Sequence, residues 1–177
     1  MSEIREIFTP LDNSVIESLV CGEMIHITGE VYTARDAAHK RLCEMLERGE
    51  AMPFDFAGNI VFYAGPCPAP PGKPIGSVGP TSAPRMDAYA PILMAEGLKV
   101  MIGKGIRNQA VRESIVEHKG VYFTGIGGAA AYIAQCVQSA DLVTFEDLGT
   151  EAIRRLKIIK MPVIVAIDSR GKCIYDR

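Results

Sequence analysis

The sequence lacks the patterns that mark several large classes of protein. Its 19 Lys and Arg residues nearly balance its 21 Asp and Glu residues, so no basic field is present to attract nucleic acid or an anionic membrane. Its apolar runs, such as residues 161–167, are too short to span a bilayer, and the charged start at residues 1–6 is not typical of a signal peptide. We therefore expect a cytoplasmic protein that binds neither nucleic acid nor membranes.

The cysteines form no metal-binding pattern. The five of them contain no C-x-x-C pair, lie in no Cys/His cluster and are odd in number: Cys21, Cys43, Cys67, Cys136 and Cys173. This scatter favours neither a disulfide framework nor a zinc or iron–sulfur site on this chain. Cys67 is the only one in a loop of interest, the proline-rich stretch 65–72, and we interpret it as an idle thiol as well.

The chain does contain alternating strand-like and helix-like segments. Its 177 residues, of which 48% are hydrophobic, have no linker, so we expect one domain over residues 1–177. Periodicity predicts strands at 23–32, 59–64, 98–102, 121–123, 142–145 and 162–168, and helices at 35–47, 106–118, 128–137 and 150–156. This order indicates an α/β fold with at least partly parallel pairing. The longer N-terminal strands are expected to form a separate, more antiparallel layer.

Basic side chains lie in turns that glycine and proline shape. Thr81 and Arg85 lie within the stretch 79–87, and Lys104 lies between Gly103 and Gly105, directly after a predicted strand. An arginine offers a planar fork that matches a carboxylate, and ligands bind at the carboxyl ends of strands in α/β sheets. These turns are therefore typical of a site for a small anion.

Arg35 adds a third predicted position for a cation at the start of a helix. Thr33 and Asp36 fit a capping box with Thr33 as the N-cap, which puts Arg35 in the first turn, where the helix dipole is unfavourable for a cation. A negative partner in front of the helix would explain it; the alternative is an arginine that simply reaches solvent. Pro84 at a first helical position would likewise put Arg85 beside a helix N-terminus. Together the cations indicate a site for a dianion.

Two glycine motifs have weaker interpretations. Residues 103–105 do not fit a P-loop, because the first glycine is absent and Gly105 occupies the Ser/Thr position. Gly125–Ala130 fits G-x-G-x-x-A, with Glu146 about twenty residues on, but the chain that follows is too short for the rest of a mononucleotide-binding half. We interpret it as a tight turn, and a nucleotide-binding or regulatory module stays open as an alternative.

The remaining polar candidates have structural interpretations. The acidic stretch 144–151 is more typical of a loop and helix cap than of a metal site, since carboxylates favour helix N-termini. His26 lies in a predicted strand, and His39 and His118 lie on predicted helices, so none has an evident catalytic partner.

Several of these runs together resemble one known family. The stretches 63–66, 72–87, 99–105 and 127–132, followed by 148–153 and 161–171, are similar in content and order to the C-terminal domain or β subunit of class I, iron–sulfur-dependent fumarases and the related L-tartrate dehydratases. The resemblance spans nearly the whole chain. Pro84 replaces a usual glycine and Thr150 a common methionine, and neither change removes a functional group.

The resemblance implies a swivelling β/β/α domain with a mixed sheet that forms half of an enzyme. A larger α subunit would hold a [4Fe-4S] cluster, whose open iron acts as a Lewis acid on the substrate hydroxyl, in an assembly of two α and two β chains. The implied function is that of a fumarate hydratase β subunit, interconverting fumarate and L-malate in the tricarboxylic acid cycle. The alternative in the same hydro-lyase class is L-tartrate dehydratase.

The resemblance also implies roles for the cations and their neighbours. Arg35, Arg85 and Lys104 would bind the carboxylates of a C4 dicarboxylate, and Thr81 would be the base for the C3 proton of malate. An alcohol is a poor base unless its alkoxide is stabilised, so Lys104 is expected to act in catalysis as well as in binding. Ser82 is a secondary candidate for the base.

Overall fold

Seven strands form one mixed sheet in the computed structural model, which describes residues 3–126 and 128–176. The strands are β1 (Arg5–Phe8), β2 (Met24–Thr33), β3 (Ile60–Phe62), β4 (Val100–Gly103), β5 (Val121–Gly125), β6 (Val137–Thr144) and β7 (Ile153–Ile167). The helices are α1 (Asn13–Ser18), α2 (Asp36–Glu47), α3 (Ala90–Ala95), α4 (Gln109–Glu117) and α5 (Ala130–Cys136). Two 3-10 helices span Ala83–Met86 and Glu146–Glu151.

The sheet closes on itself through its last strand. Strands β1 to β5 are parallel neighbours in chain order, and β7 runs antiparallel to β5, β6 and β2. Because β2 pairs with both β3 and β7, the strands β2, β3, β4, β5 and β7 form a closed, barrel-like arrangement. The predicted α/β class with a mixed sheet is thereby confirmed.

Alternating burial divides the apolar side chains into two clusters. In β3 to β5, residues such as Phe62, Ile102 and Phe123 pack in one cluster with α1 and α5. Their sequence neighbours, such as Met101 and Tyr122, pack in the other with α2, α3 and α4. This two-residue period is the one expected for pleated strands buried on both faces. The carboxyl ends of the strands are thus supported from both sides.

Two predictions about the elements are wrong. The segment 150–156 is no helix: the 3-10 helix ends at Glu151, and β7 begins at Ile153. Local helical periodicity there is overridden because Leu156 and Ile158 are buried as strand residues that pair with β2 and β6. The N-terminal strands form no separate layer, since β2 lies within the single sheet.

The other predicted elements occur with shifted ends. β2, β3, β4 and β5 match the predicted strands within a few residues, as α2, α4 and α5 match the predicted helices. β6 begins five residues before the predicted start, and β1, α1 and α3 were not predicted. No helix in the described ranges is long and apolar enough to cross a membrane.

The carboxylate of Asp168 fastens the end of β7 to the start of β2. It is fully buried and accepts hydrogen bonds from the backbone N–H groups of Cys21, Arg170 and Lys172 and from the Arg170 guanidinium. Burial alone would raise the pKa of Asp168, but these donors hold it below its ordinary value of 3.8. Its contribution to stability is therefore complete at neutral pH and is lost as the pH falls through that lowered pKa.

We expect Asp168→Ala to lower the free energy of unfolding by about 3 kcal/mol at pH 7, because three backbone N–H groups and the Arg170 guanidinium lose their buried acceptor. Urea unfolding followed by circular dichroism measures this change. Asp141→Ala, at an exposed position on β6, is the matched control and should change stability by less than about 0.5 kcal/mol. An Asp168→Ala value as small as that of the control would contradict the assignment.

Candidate functional site

The predicted site residues lie at one edge of the sheet, where β2, β3 and β4 end. The segment that carries Thr81 inserts between the ends of β3 and β4: the Thr81 N–H donates to the Tyr63 carbonyl at 2.6 Å. The Lys104 N–H donates to the Thr81 carbonyl at 3.1 Å, and the Ala83 N–H donates to the Lys104 carbonyl at 2.8 Å. Thr81 and Lys104 are therefore neighbours joined through the main chain.

Helix α2 begins later than the capping box predicted. Its N-cap is Arg35, with extended φ and ψ of −111° and −165°, and Asp36 is its first residue. Thr33 is the last residue of β2, and its hydroxyl accepts the N–H of Arg154 at 3.1 Å instead of capping the helix. The capping-box prediction is wrong because a strand residue distant in sequence occupies the Thr33 hydroxyl.

Arg35 is packed and does not simply reach solvent. Its side chain crosses the backbone of Gly65, where an added Cβ would lie 2.9 Å from both Cδ and Nη1. Its Nε lies 3.7 Å from the carboxylate of Glu151, and the side chain is 24% exposed. Gly65 therefore leaves room for this side chain, and a Cβ at position 65 would make the arginine shift.

Arg85 is held by a carboxylate at the start of α2. Its Nε donates to Oδ2 of Asp36 at 2.8 Å, and its Nη2 lies 2.6 Å from the same oxygen. Pro84 does lie in the first turn of a helix, as predicted, but that helix is the 3-10 helix Ala83–Met86, so Arg85 is in its last turn rather than beside its N-terminus. The side chain of Arg85 is 49% exposed, so part of its guanidinium remains accessible to solvent or a ligand.

The two carboxylates were not predicted as partners of the arginines. Glu151 also accepts the N–H of Ala37 at 3.4 Å, so it caps α2 as the acidic stretch was expected to cap a helix. Lys104 is exposed and forms no ion pair within the described part of the chain. Three cations and two carboxylates at one sheet edge leave an excess of positive charge, which favours an anionic ligand.

A buried polar layer lies behind this edge. The side chain of Arg107 is fully buried, and its Nε donates to Asp87 at 2.6 Å. Its Nη2 donates to the Tyr63 hydroxyl at 3.2 Å, and its guanidinium lies 4.8 Å from the ring centroid of Tyr122. Sequence reasoning missed Arg107, because an arginine just before a helix carries no local signal of burial.

His39 lies fully buried at the first turn of α2. Its Nδ1 is 2.8 Å from the Arg35 carbonyl, and because a carbonyl only accepts, Nδ1 carries the hydrogen. The pKa of His39 is lowered to about 4, chiefly by burial and also by the charge of Arg107, against the hydrogen bond to the Arg35 carbonyl, which raises it. The imidazole is therefore neutral at physiological pH and helps to fix the N-cap residue Arg35.

Comparison with known proteins identifies the family. A family model described as the fumarase C-terminus matches residues 5–177. The chain belongs to this family. The predicted resemblance is confirmed, and the relatives that the chain matches differ in length.

Three relatives illustrate that range. The chain is 35% identical over 155 residues to the anaerobic class I fumarate hydratase of Escherichia coli, covering 86% of this chain and 28% of that protein. It is 36% identical over 155 residues to fumarate hydratase 1, mitochondrial, of Leishmania major, with the same coverage. It is 33% identical over 179 aligned positions to a Methanocaldococcus jannaschii protein provisionally named L(+)-tartrate dehydratase subunit beta, covering 96% of this chain and 90% of that one.

The cysteines of this family member do not fit a [4Fe-4S] cluster. All five are free thiols; Cys43 and Cys136 are buried and Cys67 is exposed. Burial raises the pKa of Cys43 and Cys136, which disfavours the thiolate that ligates iron. Among residues 3–126 and 128–176, no three His, Cys, Asp or Glu side chains are grouped closely enough to hold a metal ion.

The interpretation of the glycine motif after β5 as a tight turn stays a prediction. Gly125 ends β5 and Ala130 begins α5, so the motif does connect a strand to a helix. Gly127, its second glycine, lies outside the described residues. The helix that follows has only seven residues.

We expect the buried His39 to make the protein less stable as the pH falls from 6.5 toward 4. The unfolded chain binds a proton near pH 6.5 whereas the folded chain resists it, so this residue contributes a slope of up to roughly 1.4 kcal/mol per pH unit. The measurement is urea unfolding at several pH values. His39→Gln should remove this part of the slope, and His118→Gln, at a partly exposed position, should retain it. Equal slopes in the wild type and His39→Gln would contradict a buried neutral imidazole.

Proposed function

We propose that this chain acts as the β subunit of a class I fumarate hydratase, in the cytoplasm and in the tricarboxylic acid cycle. Together with an α subunit it would interconvert fumarate and L-malate. The observation that carries the proposal is the convergence of Arg35, Arg85, Lys104 and Thr81 at one sheet edge of a chain that belongs to the fumarase C-terminus family. A C4 dicarboxylate is a dianion, and this edge has an excess of cations.

The arginines and Lys104 would bind the two substrate carboxylates. Arg85 uses Nε and Nη2 to hold Asp36, and the rest of its half-exposed guanidinium can donate to a carboxylate. Arg35 lies in front of α2, where the N-terminal N–H groups also favour an anion. Lys104 is exposed and bonded to Thr81 through the main chain, so its ammonium is available to either carboxylate or to charge that develops during the reaction.

Thr81 would move the proton at C3. In the direction of dehydration its oxygen takes the proton from malate, and in hydration it returns that proton to the same carbon. Its main chain is hydrogen-bonded on both sides, to Tyr63 and to Lys104, so the hydroxyl is carried on a fixed backbone. The neighbouring Lys104 and Arg85 stabilise both an alkoxide on Thr81 and the negative charge that builds on the substrate.

The [4Fe-4S] cluster of this proposal would belong to the α subunit. The cysteines of this chain are dispersed and do not fit it, and the chain matches 28% of the length of the two fumarate hydratases named above. We therefore assign no step at the cluster to any residue of this chain. An assembly of two α and two β chains is part of the proposal.

L-Tartrate dehydratase is the second candidate function, in the same reaction class. It is favoured by one observation, the match along 90% of the length of the Methanocaldococcus jannaschii β subunit. Tartrate differs from malate by one hydroxyl. The groups that contact this hydroxyl would decide between the two substrates.

The proposal is tested by turnover of the chain co-expressed with its α partner and loaded with iron and sulfide. We expect malate to be dehydrated with a kcat/KM at least about tenfold above that for L-tartrate, and the chain alone to have negligible activity and no stoichiometric cluster, since it offers no ligand set. The reverse preference would favour the second candidate. No turnover of either acid, or a cluster on the isolated chain, would contradict the proposal.

We expect Thr81→Ala to lower kcat by roughly 10² to 10⁴ with a modest change in KM, because a general base acts in the transition state. The backbone hydrogen bonds of residue 81 remain in this variant. Ser77→Ala, in the exposed loop before the site, is the control and should keep wild-type kinetics. A kcat for Thr81→Ala within about threefold of wild type would place the base elsewhere, and a large loss in Ser82→Ala would move it to Ser82.

A further inference from the structure

Asp87 ties Arg107 to the turn that carries Arg85. One oxygen of Asp87 accepts Nε of Arg107 at 2.6 Å, and the other accepts the N–H of Asn108 at 2.7 Å. Asp87 directly follows the 3-10 helix Ala83–Met86, and its own N–H donates to the Pro84 carbonyl. The two segments 83–87 and 107–108 are therefore joined by a buried, charge-assisted contact.

Arg107 reaches the segment of Thr81 through Tyr63. Its Nη2 donates to the Tyr63 hydroxyl at 3.2 Å, and the Tyr63 carbonyl accepts the Thr81 N–H at 2.6 Å. The side chain of Tyr63 is fully buried, and burial raises the pKa of its phenol, which therefore stays neutral. Arg107 thus fixes the side-chain hydroxyl of Tyr63, the residue whose main-chain carbonyl holds Thr81.

A third contact leads to Lys104. The Arg107 guanidinium lies 4.8 Å from the ring centroid of Tyr122, and the Tyr122 hydroxyl donates to the Gly105 carbonyl at 3.0 Å. Gly105 follows Lys104 and has a φ of +88°, in the region that favours glycine. The hydroxyl of Tyr122 therefore fixes the turn that presents the Lys104 ammonium.

We infer that Arg107 is a positioning residue that holds Thr81, Arg85 and Lys104 in one arrangement. The inference rests on the proposed function for the roles of those three residues. A buried ion pair contributes little net stability compared with apolar side chains of similar volume, so specifying a geometry explains this pair better than stability does. Lysine could not replace Arg107, because one ammonium cannot contact Asp87, the Tyr63 hydroxyl and the Tyr122 ring at the same time.

The first measurement uses the full chain and needs no activity. In Arg107→Lys we expect the amide hydrogens of Thr81, Ala83 and Lys104 to exchange about tenfold faster than in the wild type, while that of Ile27, deep in β2, changes less than about twofold. The matched control is Arg112→Lys on α4, which alters the exposed ion pair of Arg112 with Asp176. This variant should leave the exchange rates of all four amides unchanged. Equal acceleration at all four amides, or none at the site, would overturn the inference.

Tyr63→Phe covers the case in which Arg107→Lys does not fold. It removes only the hydroxyl that accepts from Arg107 and leaves the packed ring. We expect the Thr81 amide to exchange about threefold faster, with the Ile27 amide unchanged. Unchanged exchange at Thr81 would overturn the inference.

The second measurement uses the complex with the α subunit. Arg107→Lys should lower kcat/KM for malate by roughly 10-fold to 100-fold, with both kcat and KM affected because base and carboxylate clamps shift together, and Arg112→Lys should stay within about twofold. Faster exchange at the site with unchanged kinetics would overturn the inference. A wild-type complex that turns over neither malate nor tartrate would instead contradict the proposed function, and the exchange result would still report on Arg107.

Discussion

The antiparallel pairing of β2 with β7 is the constraint on which the site depends. It joins the first long strand to the last and closes the row of parallel strands in which β2, β3 and β4 lie side by side with their carboxyl ends at one edge. The closure adds a second connection, through β5 and β7, between the strands that precede Arg35 and Lys104, which are already paired through β3. Closing a loop between residues so distant in sequence costs entropy, which the apolar clusters on both faces of the sheet offset.

Charge is arranged in two layers at this edge. The outer layer pairs Arg85 with Asp36 and Arg35 with Glu151 and leaves Lys104 exposed. The inner layer pairs Arg107 with Asp87 away from solvent. Ion pairs that are partly exposed exchange partners at a lower cost than buried ones, since a buried charge without its partner is strongly unfavourable. The ion pairs of the outer layer can therefore rearrange to accept a ligand, whereas the Arg107–Asp87 pair of the inner layer keeps its geometry.

The sequence could predict which of the candidate residues lie together where local chemistry decides the outcome. Thr81, Arg85 and Lys104 were predicted together because glycine and proline mark turns and parallel strands end at one edge. The N-cap at Arg35 could not be predicted, since the Thr33 hydroxyl bonds to Arg154, 121 residues away. Burial of Arg107 depends on Asp87, twenty residues earlier, and the strand at 153–158 depends on pairing with β2 and β6. These misses share one cause, a long-range contact that overrides a local preference.

The contact between Asp36 and Arg85 has a thermodynamic consequence for recognition. A free arginine side chain loses about 2 kcal/mol of rotamer entropy when a ligand immobilises it. Here Asp36 has already restricted Arg85 through Nε and Nη2 before any ligand arrives. A carboxylate that binds to the remaining edge of the fork therefore meets a preorganised partner. The carboxylate of Asp36 weakens the net attraction for an anion, and in return association needs little rearrangement of the protein.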